Sequence, residues 1–157
     1  MWDTVVATLE SEFSESIDAE RLTRLLVRLL MAAVLGGLLG YERERQGKAA
    51  GVRTHMLVAM GAALFVLVPD LENMAIADMS RVVQGIVTGI GFLGAGTIIK
   101  HRDEEYVQGM TTAAGIWMTA AIGIACGLGL EATALVSTVL GLAVLALLPK
   151  LVRRERP

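Results

Sequence analysis

The sequence predicts an all-α protein, a polytopic membrane helix bundle with about five transmembrane helices. Hydrophobic residues make up 54% of its 157 residues, whereas soluble domains have roughly 45–50%. These residues are concentrated in stretches close to the roughly 20 residues that a helix needs to cross a bilayer. The charged residues between the stretches are sorted by sign, as membrane insertion requires. An unusually apolar soluble core would not explain that sorting.

The first predicted unit is an acidic segment, residues 1–20. Its apolar residues Val5, Val6, Leu9 and Phe13 recur at helical spacing. We therefore expect a short amphipathic helix that lies at the membrane surface or against the bundle. Acidic residues occupy the positions where a signal peptide would carry lysines, so the first apolar helix is expected to act as its own insertion signal.

The second predicted unit, residues 21–150, contains the spans, and residues 151–157 form a basic tail. The spans are expected at about Leu22–Tyr41, Arg53–Val68, Val82–Ile99, Met110–Leu128 and Ala132–Leu148. Pro69 is expected to end the second span and Pro149 the fifth, because proline cannot donate a helical hydrogen bond. The fourth and fifth spans are separated by so few residues that they should form an antiparallel hairpin.

Charge predicts how the chain is oriented in the membrane. Ten of the fourteen lysines and arginines lie in residues 41–54, 100–109 and 150–157. The alternate segments hold ten of the sixteen acidic residues. Since cytoplasmic loops carry the excess of lysine and arginine, we expect a cytoplasmic C-terminus and an N-terminus on the opposite side.

Glycines predict where the helices pack. Lipid is as apolar as leucine, so membrane helices associate through close backbone approach and polar contacts. Glycine pairs four residues apart occur in three spans, and the third span has further glycines; the complete set is Gly36, Gly40, Gly85, Gly89, Gly91, Gly94, Gly96, Gly123 and Gly127. The third span is then either a tightly packed central helix or a broken helix that lines a polar cavity.

Several polar residues fall at or near membrane depth. Arg28 lies inside the first span, where we expect it to extend outward or to pair with an acid of an outer loop. A role in an ion or proton path is the alternative. Glu42 and Arg43 follow the first span, and a Glu42–Arg53 ion pair is predicted to close the loop between the first two spans.

Other polar residues mark helix beginnings. Arg53, Thr54 and His55 open the second span, where free N–H groups favour anions. Thr111 and Thr112 are expected to cap the fourth span. His55 is a candidate proton switch, although a lone histidine is more often structural.

The sequence lacks the patterns of an enzyme or a nucleic-acid-binding protein. It has no nucleophile–base set, no histidine and cysteine cluster with metal-ligand spacing, and no basic surface interleaved with aromatic residues. We therefore predict no catalytic residues, no cofactor and no nucleic acid partner. Magnesium is the one candidate ion, because Asp70, Glu72 and Asp78 offer the oxygen ligands that it prefers. The sequence does not identify a metal site.

Four motifs together resemble a known family. They are Gly36-Gly37-Leu38-Leu39-Gly40-Tyr41-Glu42-Arg43-Glu44, Ala50-Gly51-Val52-Arg53-Thr54-His55-Met56-Leu57-Val58, Gly89-Ile90-Gly91-Phe92-Leu93-Gly94-Ala95-Gly96 and Gly109-Met110-Thr111-Thr112-Ala113-Ala114. Their order and spacing over roughly residues 25–130 resemble the MgtC/SapB family of bacterial inner-membrane proteins. The segment Asp78-Met79-Ser80-Arg81 departs from the family pattern, which usually has proline after the aspartate.

The resemblance implies a five-helix domain in the bacterial inner membrane. Virulence-associated members of this family are implicated in survival inside macrophages and in growth at low magnesium, and some bind and restrain the F-type ATP synthase. Longer members carry a cytoplasmic ACT-type domain, so this chain resembles the short form. The expected functional polar cluster comprises Arg28, Glu42, Arg43, Gly51, Arg53, Thr54, His55, Asp78, Arg81, Thr111 and Thr112.

Two functions follow as hypotheses. The first is a non-enzymatic regulatory membrane protein, expected to be a homo-oligomer, that acts through membrane-protein partners such as the F-type ATP synthase. Adaptation to low magnesium, acid or intracellular stress is its expected setting. The second is a transporter or channel for magnesium, protons or a small solute.

Overall fold

The computed structural model describes residues 1–13, 19–100 and 107–153. This part of the chain forms six helices and one antiparallel two-stranded hairpin. The elements are α1 (Trp2–Phe13), α2 (Ala19–Arg45), α3 (Val52–Leu71), α4 (Ile76–Gly96), β1 (Ile99–Lys100), β2 (Val107–Gln108), α5 (Met110–Gly127) and α6 (Glu131–Arg153). The predicted fold class, an all-α membrane bundle, is confirmed.

Four of these helices, α2 to α5, are long and apolar enough to cross a membrane. In α6, which has 23 residues, the apolar part whose side chains the structure describes is Glu131–Leu147. A fifth crossing by α6 therefore stays a prediction. Large apolar side chains such as Phe65, Phe92 and Val139 point outward and are 65%, 83% and 64% exposed. A hydrocarbon solvent accommodates such a surface.

Several helix ends differ from the predicted bounds. Helix α2 runs from Ala19 to Arg45 instead of from Leu22 to Tyr41, and α4 ends at Gly96, with the expected last residue Ile99 in β1. Helix α3 continues through Pro69 to Leu71, and α6 continues through Pro149. Each proline removes a single helical hydrogen bond, a loss that membrane helices tolerate. Helix α4 begins at Ile76, six residues before the expected Val82. The polar segment Asp78-Met79-Ser80-Arg81, expected to lie before the span, is therefore part of the helix.

Helices α2, α3 and α5 end in the same way. In each, the residue after the cap has a positive φ: Gly47 (66°), Asn73 (54°) and Gly129 (72°). The reversed chain then satisfies two carbonyls that the helix end leaves free, as in a Schellman motif. In α5, for example, Leu130 N–H donates to the oxygen of Ala125 at 2.8 Å. These compact ends allow short connections to the next helix.

Helix α3 is the central element, packed mainly between α2 and α5. On the α2 side, a Cβ built on Gly36 would lie 2.7 Å from the His55 carbonyl oxygen, and one on Gly40 would lie 2.7 Å from Val52 Cα. On the α5 side, a Cβ on Gly123 would lie 2.9 Å from Ala59 Cα. Gly127 meets Ala63 in the same way. Real Cβ atoms do not occur at such distances, so these glycines set the spacing of the three helices.

Helix α4 lies at the edge of the bundle. It is one unbroken helix and not the central one, so neither interpretation of the third span fits completely. Only Gly94 packs as predicted, because a Cβ there would touch the Cβ of Ala113 at 3.5 Å. Around the other four glycines no described atom lies within 4 Å of a built Cβ; they are Gly85, Gly89, Gly91 and Gly96. Since these four glycines meet no neighbour among the described residues, their role in helix packing stays a prediction.

The close contact of α3 with α5 predicts the effect of a single methyl group. Gly123→Ala should lower the free energy of unfolding in detergent by about 1–3 kcal/mol, because the added Cβ collides with the Ala59 backbone. Gly61→Ala, on α3 where nothing lies within 4 Å, is the matched control and should be neutral. Equal losses in the two variants would contradict this account of the interface.

Candidate functional site

A glutamate on α2 closes the loop that leads into α3. The Glu44 carboxylate accepts a hydrogen bond from the backbone N–H of Val52 at 2.8 Å. A Cβ on Gly51 would touch this carboxylate, so a larger residue at the N-cap of α3 would have to displace the Glu44 side chain. Among the described residues no ion pair joins Glu42 to Arg53, and that predicted pair is wrong. Glu44 has the better position because it faces the first turn of α3.

Glu42 instead binds Gln46, which reaches α6. Its buried carboxylate accepts a hydrogen bond from Gln46 Nε2 at 2.7 Å and forms an ion pair with Arg45 at 3.2 Å. Gln46 Nε2 also donates to the carbonyl oxygen of Leu145 on α6 at 3.1 Å. The buried acid thus has partners at the helix end, and Gln46, which had no predicted role, carries the link to α6.

His55 lies fully buried where α2, α3 and α5 meet. Its Nδ1–H donates to the carbonyl oxygen of Gly51 at 3.0 Å. The other ring nitrogen, Nε2, has no hydrogen-bond partner among the described residues. That nitrogen faces Gly115, on which a Cβ would lie 3.6 Å away. His55 therefore fills the glycine-lined junction with an imidazole whose ring orientation is fixed by its own helix.

A cavity of about 490 Å³ opens beside the C-terminal end of α2. Its lining comes from the loop after α2, the hairpin and the beginning of α5; the residues are Arg43, Gly47, Lys48, Ala49, Thr97, Val107, Gln108, Gly109, Met110, Thr111 and Thr112. Arg43 is 2% exposed. Its Nη1 donates to Gln46 Oε1 at 3.2 Å, whereas Nε and Nη2 are buried without a partner in the described part of the chain.

Gly109 shapes the opposite wall of this cavity. It has a φ of 94°, and a Cβ there would collide with the carbonyl group of Thr97. Only glycine fits this combination of positive φ and close contact. As the N-cap of α5 it offers no side-chain hydrogen bond to the helix. The first turn of α5, which includes Thr111 and the buried Thr112, also borders the cavity.

Arg28 lies at the opposite end of the bundle. It donates to the Asp70 carboxylate and to the carbonyl oxygen of Gly127, both at 2.8 Å. The predicted pairing of Arg28 with an acid is confirmed, although Asp70, which was expected in a loop, lies in the last turn of α3. Its cation also lies beside the C-terminal ends of α3 and α5, which carry partial negative charge. Gly129 is favoured here because its φ is 72°, and a Cβ would also touch the guanidinium group.

The predicted polar cluster therefore divides between places instead of forming one site. Arg43, Thr111 and Thr112 meet at the cavity, while Glu42, Gly51 and His55 hold the neighbouring helix ends together. The remaining predicted residues lie elsewhere: Arg28 at the far end, Asp78 and Arg81 as an exposed pair at 3.8 Å on α4, and Arg53 and Thr54 exposed on α3.

Some important residues were missed by the sequence analysis. Lys48 and Gly109 at the cavity had no predicted role, and neither did Glu44 at the loop. Glycine directly before a predicted helix was the available signal for Gly109, since such a position often needs positive φ. For Lys48 nothing in the sequence distinguished it from a solvated loop residue.

Comparison with known proteins identifies relatives over most of the chain. The model of the MgtC family matches residues 29–154. The protein SrpB of Synechococcus elongatus is 48% identical over 122 residues, which cover 71% of this chain and 67% of SrpB. The protein MgtC of Brucella abortus is 48% identical over 122 residues, 78% of this chain and 50% of the relative.

A third relative is YhiD of Escherichia coli K12, whose name proposes a magnesium transporter. It is 40% identical over 137 residues, which cover 82% of this chain and 62% of YhiD. The chain thus spans between one half and two thirds of the length of these relatives. No solved structure matches the chain.

The two ion pairs between α2 and the end of α3 predict different couplings. In a double-mutant cycle, Arg28→Met and Asp70→Asn should show a coupling of about 1–3 kcal/mol in unfolding free energy, because the charged hydrogen bond is largely shielded. The exposed Arg21–Glu72 pair, at 3.3 Å, is the control and should show little coupling. Similar coupling in both cycles would refute the role assigned to Arg28.

Proposed function

The chain belongs to the MgtC family, and on this premise we propose that it is a non-enzymatic regulatory protein of the bacterial inner membrane that acts by binding other membrane proteins. The proposal includes a cytoplasmic C-terminus and an external N-terminus. It also includes the conditions that the family resemblance implies, which are low magnesium, acid and intracellular stress. The observation that carries it is the exposed glycine surface of α4.

This surface has the features of a helix-docking face. In the most apolar 18-residue stretch of α4 only 6% is buried, against 56% in α5. Gly85 and Gly89 lie one turn apart with open space above them. Small residues at this spacing allow the backbone of a second helix to come close. The same pattern is already filled on α2 and α5, where glycines contact α3.

Polar groups on this face of α4 favour contact with another protein helix over contact with lipid. Gln84 and Thr88 flank the glycines and are exposed. The Thr88 hydroxyl donates to its own helix, at the Gln84 oxygen, at 2.9 Å. The Gln84 side chain is exposed, and in a helix that crosses a membrane an exposed amide gains from an interhelical hydrogen bond. We propose that the occupant is a transmembrane helix of another protein, with the F-type ATP synthase as the partner that the family resemblance suggests.

The docking proposal predicts which variant loses the partner. Gly85→Leu with Gly89→Leu should remove co-purifying membrane proteins from the affinity-purified chain, while the unfolding free energy of the isolated chain stays unchanged. Val139→Phe enlarges an exposed side chain on α6 and is the control that should retain them. Identical co-purifying proteins, identified by mass spectrometry, for all three chains would overturn the proposal.

Transport of magnesium or protons is the second candidate, raised by the name of the Escherichia coli relative. The described residues contain no group of three or more histidine, cysteine or acidic side chains placed to hold a metal ion. Flux separates the two functions. Under the regulatory proposal, liposomes containing only the purified chain should take up magnesium and protons no faster than empty liposomes. Uptake above that background, lost on Glu42→Gln, would favour transport.

A further inference from the structure

Helix α1 carries an apolar strip that the described part of the chain does not cover. At roughly 100° per residue, its large apolar side chains fall within about one third of the helix circumference; they are Trp2, Val5, Val6 and Leu9. They are 76%, 43%, 51% and 53% exposed, and every residue from 1 to 11 is exposed. The strip is therefore free to contact something other than the bundle.

The opposite side of α1 is small and polar, and the helix is acidic. The hydroxyl groups of Thr8 and Ser11 donate to carbonyl oxygens of the same helix, both at 2.8 Å. Asp3 and Glu10 lie together along one edge of the strip, since their spacing is about two helical turns. Residues 1–13 include three acidic side chains and no basic one. Such segregation is typical of a helix that lies in a lipid surface, although most of these helices carry lysine and arginine.

The position of α1 in the chain holds the strip close to the membrane. Residues 14–18 connect Phe13 to Ala19, the first residue of α2, and a connection of five residues spans at most roughly 18 Å. The beginning of α2 is charged and exposed, and its Arg21 pairs with Glu72 at 3.3 Å. When the apolar part of α2 crosses the bilayer, these charges lie at the level of the headgroups. The strip is therefore within reach of the lipid surface.

We propose that the strip of α1 inserts into the lipid surface on the side where α2 begins, with Asp3 and Glu10 at the level of the headgroups. Trp2 suits this position, because tryptophan is enriched at membrane interfaces. The acidic charge favours zwitterionic lipid, whose ammonium groups pair with carboxylates, over anionic lipid, which repels them. A second copy of α1 fits less well, because two strips face to face would bring acidic edges together. Helix α4 takes no part in this insertion, which is independent of the proposed helix docking.

Quenching of Trp2 fluorescence in nanodiscs tests the proposal. Trp117→Phe leaves Trp2 as the only tryptophan of the full chain. In nanodiscs of phosphatidylethanolamine and phosphatidylcholine, lipids with a spin label near the headgroup should quench Trp2, and water-soluble acrylamide should quench it much less than it quenches free tryptophan. Strong quenching by acrylamide without quenching by the labelled lipid would overturn the proposal. Quenching by neither probe would place Trp2 in a protein contact and would overturn it as well.

Matched variants distinguish the strip from the rest of α1. In the same background, Val5→Asp with Leu9→Asp should lower the ratio of lipid quenching to acrylamide quenching by about fivefold or more, because the strip loses two apolar side chains. Thr4→Asp with Thr8→Asp adds the same charge on the opposite side and should change the ratio by less than about twofold. All four residues are exposed, so neither variant should alter the melting temperature in detergent. Equal losses in the two variants would contradict insertion through the strip.

Lipid composition tests the role of the acidic edge. At low ionic strength, nanodiscs of phosphatidylglycerol should give lipid quenching of Trp2 that is weaker by about threefold or more, and added salt should restore it. Asp3→Asn with Glu10→Gln should reduce this difference between the two lipids. Quenching in phosphatidylglycerol that equals or exceeds the quenching in zwitterionic lipid would contradict the proposed lipid preference.

Discussion

The close contact of α3 with α2 and α5 is the constraint on which the rest of the structure depends. In a bilayer, burial of leucine side chains gives no net attraction between helices, because lipid solvates them equally well. Attraction must come from backbone approach, and Gly36, Gly40, Gly123 and Gly127 permit it at both faces of α3. These contacts position α3, and α3 in turn positions the polar ends.

The polar residues convert this packing into a defined arrangement of helix ends. At one end Arg28 joins α2 to Asp70 and to the C-terminal carbonyl of α5. At the other end Glu44 holds the first turn of α3, and Gln46 connects Glu42 to α6. The cavity beside Arg43 exists because α2 ends here, while the hairpin carries the chain to the beginning of α5. Helix α4, outside this framework, keeps an open surface.

Local patterns in the sequence predicted those features that depend on one segment. The apolar stretches gave α2 to α5, and charge alone suggested a partner for Arg28, since an arginine at this depth needs one. The sequence could not show which glycines face a neighbour: Gly85 and Gly123 occur in the same kind of pair, yet among the described residues only the second meets another helix. It also could not place Arg43 in a cavity, because the burial depends on residues of the hairpin and α5.

Sidedness measured by cysteine labelling tests most directly whether lipid is the solvent of these helices. Cys126 is buried, so single cysteines introduced by Lys48→Cys and Asn73→Cys can be followed with a membrane-impermeant maleimide. In intact cells with a permeable outer membrane, the cysteine at position 73 should be labelled, and the one at position 48 only after the inner membrane is opened. Equal labelling of both in intact cells, or recovery of the chain in the soluble fraction, would contradict the account.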